Sequence, residues 1–180
     1  MGALNEKIIN CKRCRLYRFR RNAVPGEGSG RKKVFFVGEA PGREEDLEGR
    51  PFAGKAGRFL SAMLATIDMK RDDAFLTNVV KCRPPGNRQP KKDEIEACMP
   101  YLQEQIAGMK PKIIVPMGKT AVKALLGKGF SVAKDHGRKI KKGRLTYILM
   151  PHPAAASRFP SMRKIMQQDF VVLKKAICRT

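Results

Sequence analysis

His152 stands between two prolines, Pro151 and Pro153, directly after the apolar run Leu145 to Met150. Proline on both sides leaves the backbone little freedom, so the imidazole is either a fixed donor or acceptor aimed at a ligand or the tip of a rigid turn. Glu39 follows a second apolar run, Val34 to Val37, within Gly38-Glu39-Ala40-Pro41-Gly42. A carboxylate there can orient water or simply brace the turn. Asn78, near the end of the run Phe75 to Val80, can read a planar amide edge with its paired donor and acceptor. Phe52, in Gly49-Arg50-Pro51-Phe52-Ala53-Gly54, suits a core anchor and an aromatic platform for a flat ligand equally. Glu44, Glu45 and Asp46 favour a helix start by their charge.

The cysteines suggest a second kind of chemistry. Cys11 and Cys14 form a C-x-x-C pair, Cys82 stands alone, and Cys98 follows sixteen positions later. Zinc ribbons usually carry two such pairs, so four thiolates around an iron–sulfur cluster fit at least as well. The competing reading makes Cys82 and Cys98 core residues, since Cys98 lies on an apolar helix face. Cys178 has no partner in the pattern and reads as a spare thiol. Gly118-Lys119-Thr120 resembles the end of a phosphate-binding Walker A loop, but Ile113 occupies the place of the required glycine. Gly26, Gly28 and Gly30 precede a strand instead of joining a strand to a helix, which rules out a dinucleotide fingerprint and leaves them as turns.

These residues need a frame. Val34 to Val37, Phe75 to Val80, Ile113 to Met117 and Leu145 to Met150 are short apolar runs rich in β-branched or aromatic residues, the pattern of strands buried on both faces. Leu60, Met63, Leu64 and Ile67 repeat at helical spacing, as do Ile95, Cys98, Met99, Leu102 and Ile106. Pro100 is expected to kink or restart that second helix. Thr120 to Leu126 and the series Met162, Met166, Phe170, Leu173, Ile177 add two more. Strands alternating with helices define an α/β fold with a mainly parallel four-stranded sheet. In such a sheet ligands bind at the carboxyl ends of the strands, where Gly38 to Gly42, Asn78 and His152 all fall.

The chain has 180 residues, with 38 Lys+Arg against 16 Asp+Glu and a net charge of +22. One domain over residues 1–180 is expected. Basic runs at Lys12 to Arg21, Arg31 to Lys33, Lys81 to Lys92, Arg138 to Arg144 and Arg158 to Lys164 point to nucleic acid as the polyanionic partner. No run of 18 apolar residues is present and the start lacks a signal-peptide stretch, so an intracellular, cytoplasmic and DNA-associated protein without a membrane partner is expected.

Three segments, GEAPGREEDLEGRPFAGKAGRFL, TNVVKCRPPGNRQPKKDEIEAC and HPAAASR, together with the four cysteine positions, resemble family-4 uracil-DNA glycosylases from Cys11 to Arg158. The resemblance implies a three-layer αβα sandwich, a [4Fe-4S] cluster on Cys11, Cys14, Cys82 and Cys98, and hydrolysis of the N-glycosidic bond of uracil in single- or double-stranded DNA. It places the reacting sugar and water against the loop containing Gly38, Glu39 and Ala40, uracil on Phe52, its edge on Asn78, its C5 side near Glu45 and its O2 on His152. Ser157 and Arg158 fall where the family's loop meets the DNA backbone or minor groove. Glu39 stands where some relatives carry an apolar residue. One related group traps its product on a histidine within a basic insertion; Arg83 to Arg88 contains neither, so turnover by water is implied. The resemblance also implies a monomer that works beside replication or repair proteins. A non-catalytic iron–sulfur DNA-binding protein, or a zinc-stabilised nuclease using Glu44, Glu45 and Asp46, are the alternatives.

Overall fold

The computed structural model describes residues 2–178; Met1, Arg179 and Thr180, the ends of the expected 1–180 domain, lie outside the described residues. Five strands, β1 (Val34–Gly38), β2 (Phe75–Asn78), β3 (Ile113–Pro116), β4 (Lys139–Lys142) and β5 (Leu145–Ile148), form one sheet in the order β2-β1-β3-β5-β4. All neighbours are parallel except β4, which runs antiparallel to β5. The helices are α1 (Gly2–Ile9), α2 (Arg43–Glu48), α3 (Lys55–Ala65), α4 (Lys92–Met109), α5 (Lys119–Leu126), α6 (Val132–Asp135), α7 (Pro153–Arg158) and α8 (Pro160–Ile177).

Alternation along β1 divides the core. Val34 and Phe36 point into one apolar cluster with Leu60, Met63 and Leu64 of α3 and Met166, Phe170 and Leu173 of α8. Phe35 and Val37 point into the other, with Cys98 and Leu102 of α4 and Ala121 and Val122 of α5. Phe36 stacks on Phe170 at 6.1 Å on the first side, and Phe35 on Phe75 at 4.7 Å on the second. Each such aromatic, removed fully from water, contributes roughly 1.5–3 kcal/mol. The result is the expected three layers, with α3, α7 and α8 on one face and α1, α4 and α5 on the other.

Strand β4 is the departure. Its sequence Lys139-Ile140-Lys141-Lys142 is largely exposed and has no apolar run, so it reads in sequence as a basic loop. It exists because the turn at Gly143, with φ 57°, folds it back onto β5. Lysines on an edge strand discourage pairing with another molecule. β5 is correspondingly only half-buried at Leu145 and Thr146, short of burial on both faces along its length. β2 ends at Asn78, earlier than the expected Val80, and β5 at Ile148, earlier than Met150. The predicted restart at Pro100 does not occur, and α4 runs through it from Lys92 to Met109. Burial of Cys98, Tyr101 and Leu102 around it offsets the hydrogen bond that proline cannot make. The loop before β1 lies along β2, where Glu27 and Leu76 exchange backbone hydrogen bonds of 3.0 and 2.8 Å. Gly28 is required there: a Cβ would lie 2.0 Å from the Ala74 carbonyl oxygen.

Candidate active site and cysteine cluster

The carboxyl ends of β1, β2, β3 and β5 open onto a crevice of about 400 Å³ lined by Glu39, Ala40, Phe52, Asn78, Lys119 and His152, among others. Residues separated by more than a hundred positions in sequence thus share one cavity. Gly38, the last residue of β1, is not among the lining residues, but a Cβ there would lie 2.4 Å from Asn78 Oδ1 and 2.8 Å from Phe52 Cζ. Only glycine lets those two side chains approach each other over the strand end.

Asn78 is buried, and its Oδ1 has no hydrogen-bond partner. Leaving a buried carbonyl oxygen unpaired costs about 1–3 kcal/mol, a cost that a bound N–H would remove. The Asn78 backbone is held in turn by Lys81, whose fully buried Nζ donates to the Asn78 carbonyl at 2.7 Å, to Thr77 Oγ1 at 2.7 Å and to Gln105 Oε1 at 2.8 Å. Burial lowers the Lys81 pKa to about 8.

His152 is the N-cap of α7, and its Nδ1 accepts from the Ala154 N–H at 3.2 Å. That contact assigns the ring proton to Nε2. Desolvation pulls the imidazole pKa from 6.5 down to about 4, opposed by the charge of Glu45; water in the crevice still reaches part of the residue. The ring is therefore a neutral Nε2–H donor at neutral pH, with its centroid 6.4 Å from that of Phe52. Above pH 6.5 the imidazole is neutral in the folded and the unfolded chain. Between 6.5 and about 4 only the unfolded chain takes up the proton, so the stability His152 contributes is lost as pH falls through that window. His152→Ala is expected to flatten the fall of melting temperature between pH 6.5 and 4, measured by thermal scans across that range.

Glu39 accepts a hydrogen bond from Thr120 Oγ1 at the start of α5, which fixes its carboxylate at the crevice wall. Glu45 lines the crevice too, but both of its oxygens are engaged: Oε2 accepts from the Gly42 N–H at 2.9 Å and Oε1 from the Gly54 N–H at 3.0 Å. It ties the β1 loop to the loop that carries Phe52. Asp46 is buried and accepts from the Arg21 and Asn22 N–H groups, a structural use unlike a metal ligand. Ser157 and Arg158 lie at the far end of α7, outside the crevice lining, with Arg158 exposed and Ser157 Oγ donating to the Ala154 carbonyl. Sequence reasoning missed Gly118 and Lys119 as crevice residues because it tested them only against an ATP loop. The available signal was their place directly after β3, and Gly118, at φ 86°, packs against His152.

The four predicted cysteines line a second cavity, together with Ile8, Lys81 and Tyr101. The Arg13 N–H donates to Cys11 Sγ (3.4 Å), the Lys81 N–H to Cys98 Sγ (3.3 Å) and the Arg20 guanidinium to Cys82 Sγ (3.0 Å). Burial pushes the Cys98 thiol up to about 11 and also raises Cys14 and Cys82. Ligation here would therefore release protons. Among the described residues no three His, Cys, Asp or Glu side chains form a group that could hold a metal ion, so the thiols share a cavity without closing on one point. Four sulfurs from three segments, three of them accepting N–H donors, fit a cluster in which each iron takes one thiolate. Cys178 is exposed and lies apart.

A mainly parallel sheet between helical layers, with a crevice at its strand ends, places the chain among α/β proteins, and residues 25–174 match the family model of the uracil DNA glycosylase superfamily. The chain is 47% identical to the type-4 uracil-DNA glycosylase of Sulfurisphaera tokodaii, covering 96% of this chain and 82% of that one. It is 44% identical to the type-4 enzyme of Pyrobaculum aerophilum (94% and 90% covered) and 39% identical to that of Thermotoga maritima (98% and 94%). Within that superfamily, the chain belongs to the type-4 uracil-DNA glycosylases, which are hydrolases of N-glycosyl bonds.

Proposed function

We propose that this chain, acting as one domain and a monomer, flips uracil out of DNA and hydrolyses its N-glycosidic bond, the first step in base excision repair of deaminated cytosine. The convergence of Phe52, Asn78 and His152 on one crevice is the observation that carries this reading. A base inside a duplex is out of reach and must be extruded into a pocket. Phe52 then offers a stacking face, and Asn78 Oδ1 an acceptor for the uracil N3–H. Cleavage leaves an oxocarbenium-like sugar and a uracil anion. His152 donates from Nε2 to uracil O2 as that charge grows, the preorganised electrostatic help that lowers such barriers most. Glu39, held by Thr120, positions water against the sugar beside Gly38 and Ala40. Glu45 narrows the C5 side by holding two loops in place, which is how a methyl group is refused. Ser157 and Arg158 meet the DNA backbone.

A [4Fe-4S] cluster on Cys11, Cys14, Cys82 and Cys98 would supply iron–thiolate bonds that fasten the N-terminal segment to α4, and no step of the hydrolysis needs it. Freshly purified protein is expected to be brown, with four irons and four sulfides per chain. Stoichiometric zinc without visible iron–sulfur absorption would contradict this.

Affinity for DNA is expected to fall steeply with salt, by about 0.9 in the slope of log K against log salt for each phosphate neutralised on duplex DNA. Arg88, in a bidentate pair with Glu94, and Arg31, paired with Asp73, add little to that slope because they already have partners. Titrations at several salt concentrations measure it, and a flat response would remove the polyanion argument.

The reading is tested with otherwise identical oligonucleotides carrying a single uracil, thymine or cytosine. Release of uracil alone supports it. Tight binding with no base released would instead favour a non-catalytic iron–sulfur DNA-binding protein. Intracellular DNA, beside replication or repair proteins, is the setting this function requires.

A further inference from the structure

Arg71, in the short 3-10 turn before β2, has no part in the chemistry above, yet all three of its guanidinium nitrogens are engaged around one loop. Nε and Nη2 donate to Glu27 Oε1 at 3.0 and 2.5 Å. Nη2 also donates to the Pro51 carbonyl at 2.8 Å, while Nη1 donates to the Phe52 carbonyl and to Ser61 Oγ, both at 3.2 Å. Glu27 is fixed from its other side by Arg50 Nε, 2.9 Å from Oε2. Burial alone would raise the Glu27 pKa, but the hydrogen bonds from Arg50 and Arg71 outweigh it and hold the carboxyl below its ordinary value.

The loop needs such a brace. Phe52 sits at φ 52°, in the left-handed region, which a residue with a Cβ occupies only when its surroundings enforce it. The carbonyl that Arg71 holds is also the one Gly57 makes room for: a Cβ at Gly57 would lie 1.6 Å from Phe52 O. Two successive carbonyls on one planar, charged fork fix two successive peptide planes, and with them the direction of the Phe52 ring. A lysine presents a point charge in place of that fork.

We propose that Arg71, oriented by Glu27, is a positioning residue for the base pocket, holding Pro51 and Phe52 in the left-handed turn that sets the Phe52 ring as the surface on which uracil stacks. The proposal rests on the uracil reading of the crevice and adds a residue that touches neither the base nor the sugar. If Arg71 acts through Phe52, its effect must vanish once the ring is gone.

A double-mutant cycle of Arg71→Lys and Phe52→Ala tests this, with Glu27→Gln as a second way to loosen the fork. The readouts are the single-turnover excision rate, inhibition by free uracil and the melting temperature, with kinetics taken well below every melting point. In the Phe52 background, Arg71→Lys is expected to weaken both the rate and inhibition by free uracil roughly tenfold to a hundredfold, and Glu27→Gln to shift them in the same direction. In the Phe52→Ala background, adding Arg71→Lys should change neither further. An equal loss in both backgrounds would overturn the proposal, because Arg71 would then act on general stability or on DNA. Unchanged rate and inhibition in folded Arg71→Lys would overturn it too. A wild-type protein that neither excises uracil nor is inhibited by it would sink the uracil reading itself, and this proposal with it.

Discussion

Replacing His152 by alanine is expected to lower the single-turnover rate of uracil excision by about a hundred- to a thousand-fold, on the order of 3–4 kcal/mol of transition-state stabilisation. The Ala154 N–H on Nδ1 leaves the ring proton on Nε2, and desolvation keeps the imidazole neutral. A neutral donor binds a neutral uracil weakly and a uracil anion well, so the interaction strengthens mainly as the bond breaks. Affinity for uracil-containing DNA should therefore stay within a few-fold of wild type while the rate collapses. Loss of the α7 cap lowers the melting temperature in either case, but the competing role, a rigid Pro-His-Pro turn alone, predicts a rate that falls only in proportion to unfolded protein. Measuring both quantities on one preparation separates the two. A folded mutant that excises at near wild-type rate would end the assignment.

Asn78→Ala is expected to cost more, roughly ten-thousand-fold in excision rate, because a site built to hydrogen-bond a substrate edge loses about that much when the pairing cannot form. Asn78 is buried, its Oδ1 is without a partner, and its main chain is locked by Lys81. Removing the amide leaves the uracil N3–H facing an apolar hollow. Melting temperature should not fall, since the side-chain oxygen makes no hydrogen bond that the fold would lose and its removal relieves the cost of burying it unpaired. Single-turnover assays at saturating protein provide the measurement, and a mutant within tenfold of wild type would mean that the amide does not read the base.

The strand ends were legible because hydrophobicity and punctuation coincide there. Val37 into Gly38, Thr77 into Asn78 and Met150 into Pro151 each mark the switch from buried strand to site loop, and the crevice is lined by Glu39, Asn78 and His152 at or just after those points. The same rule applied to Met117 into Gly118 would have added Lys119. β4 was hidden because its stability comes from pairing with β5 and a single turn at Gly143, neither of which leaves an apolar run in Lys139 to Lys142. Pro100 does not divide α4, because tertiary burial of that helix outweighs a local penalty that a sequence displays plainly. For Glu45 the sequence named the residue but not its use. Charge at a helix start says nothing of the Gly54 N–H, which comes from another loop. Arg71 was invisible for a similar reason, since its partners at positions 27, 51, 52 and 61 meet only in the folded chain.

The central claim, hydrolytic release of uracil at this crevice, is tested most directly by incubating the intact protein with an excess of uracil-containing DNA in EDTA. Free uracil, abasic sites and the mass of the protein are then quantified together. The account predicts several uracils released per chain, one abasic site for each uracil, and an unchanged protein mass. Intact DNA, or one uracil per chain with the protein carrying the DNA covalently, would contradict it.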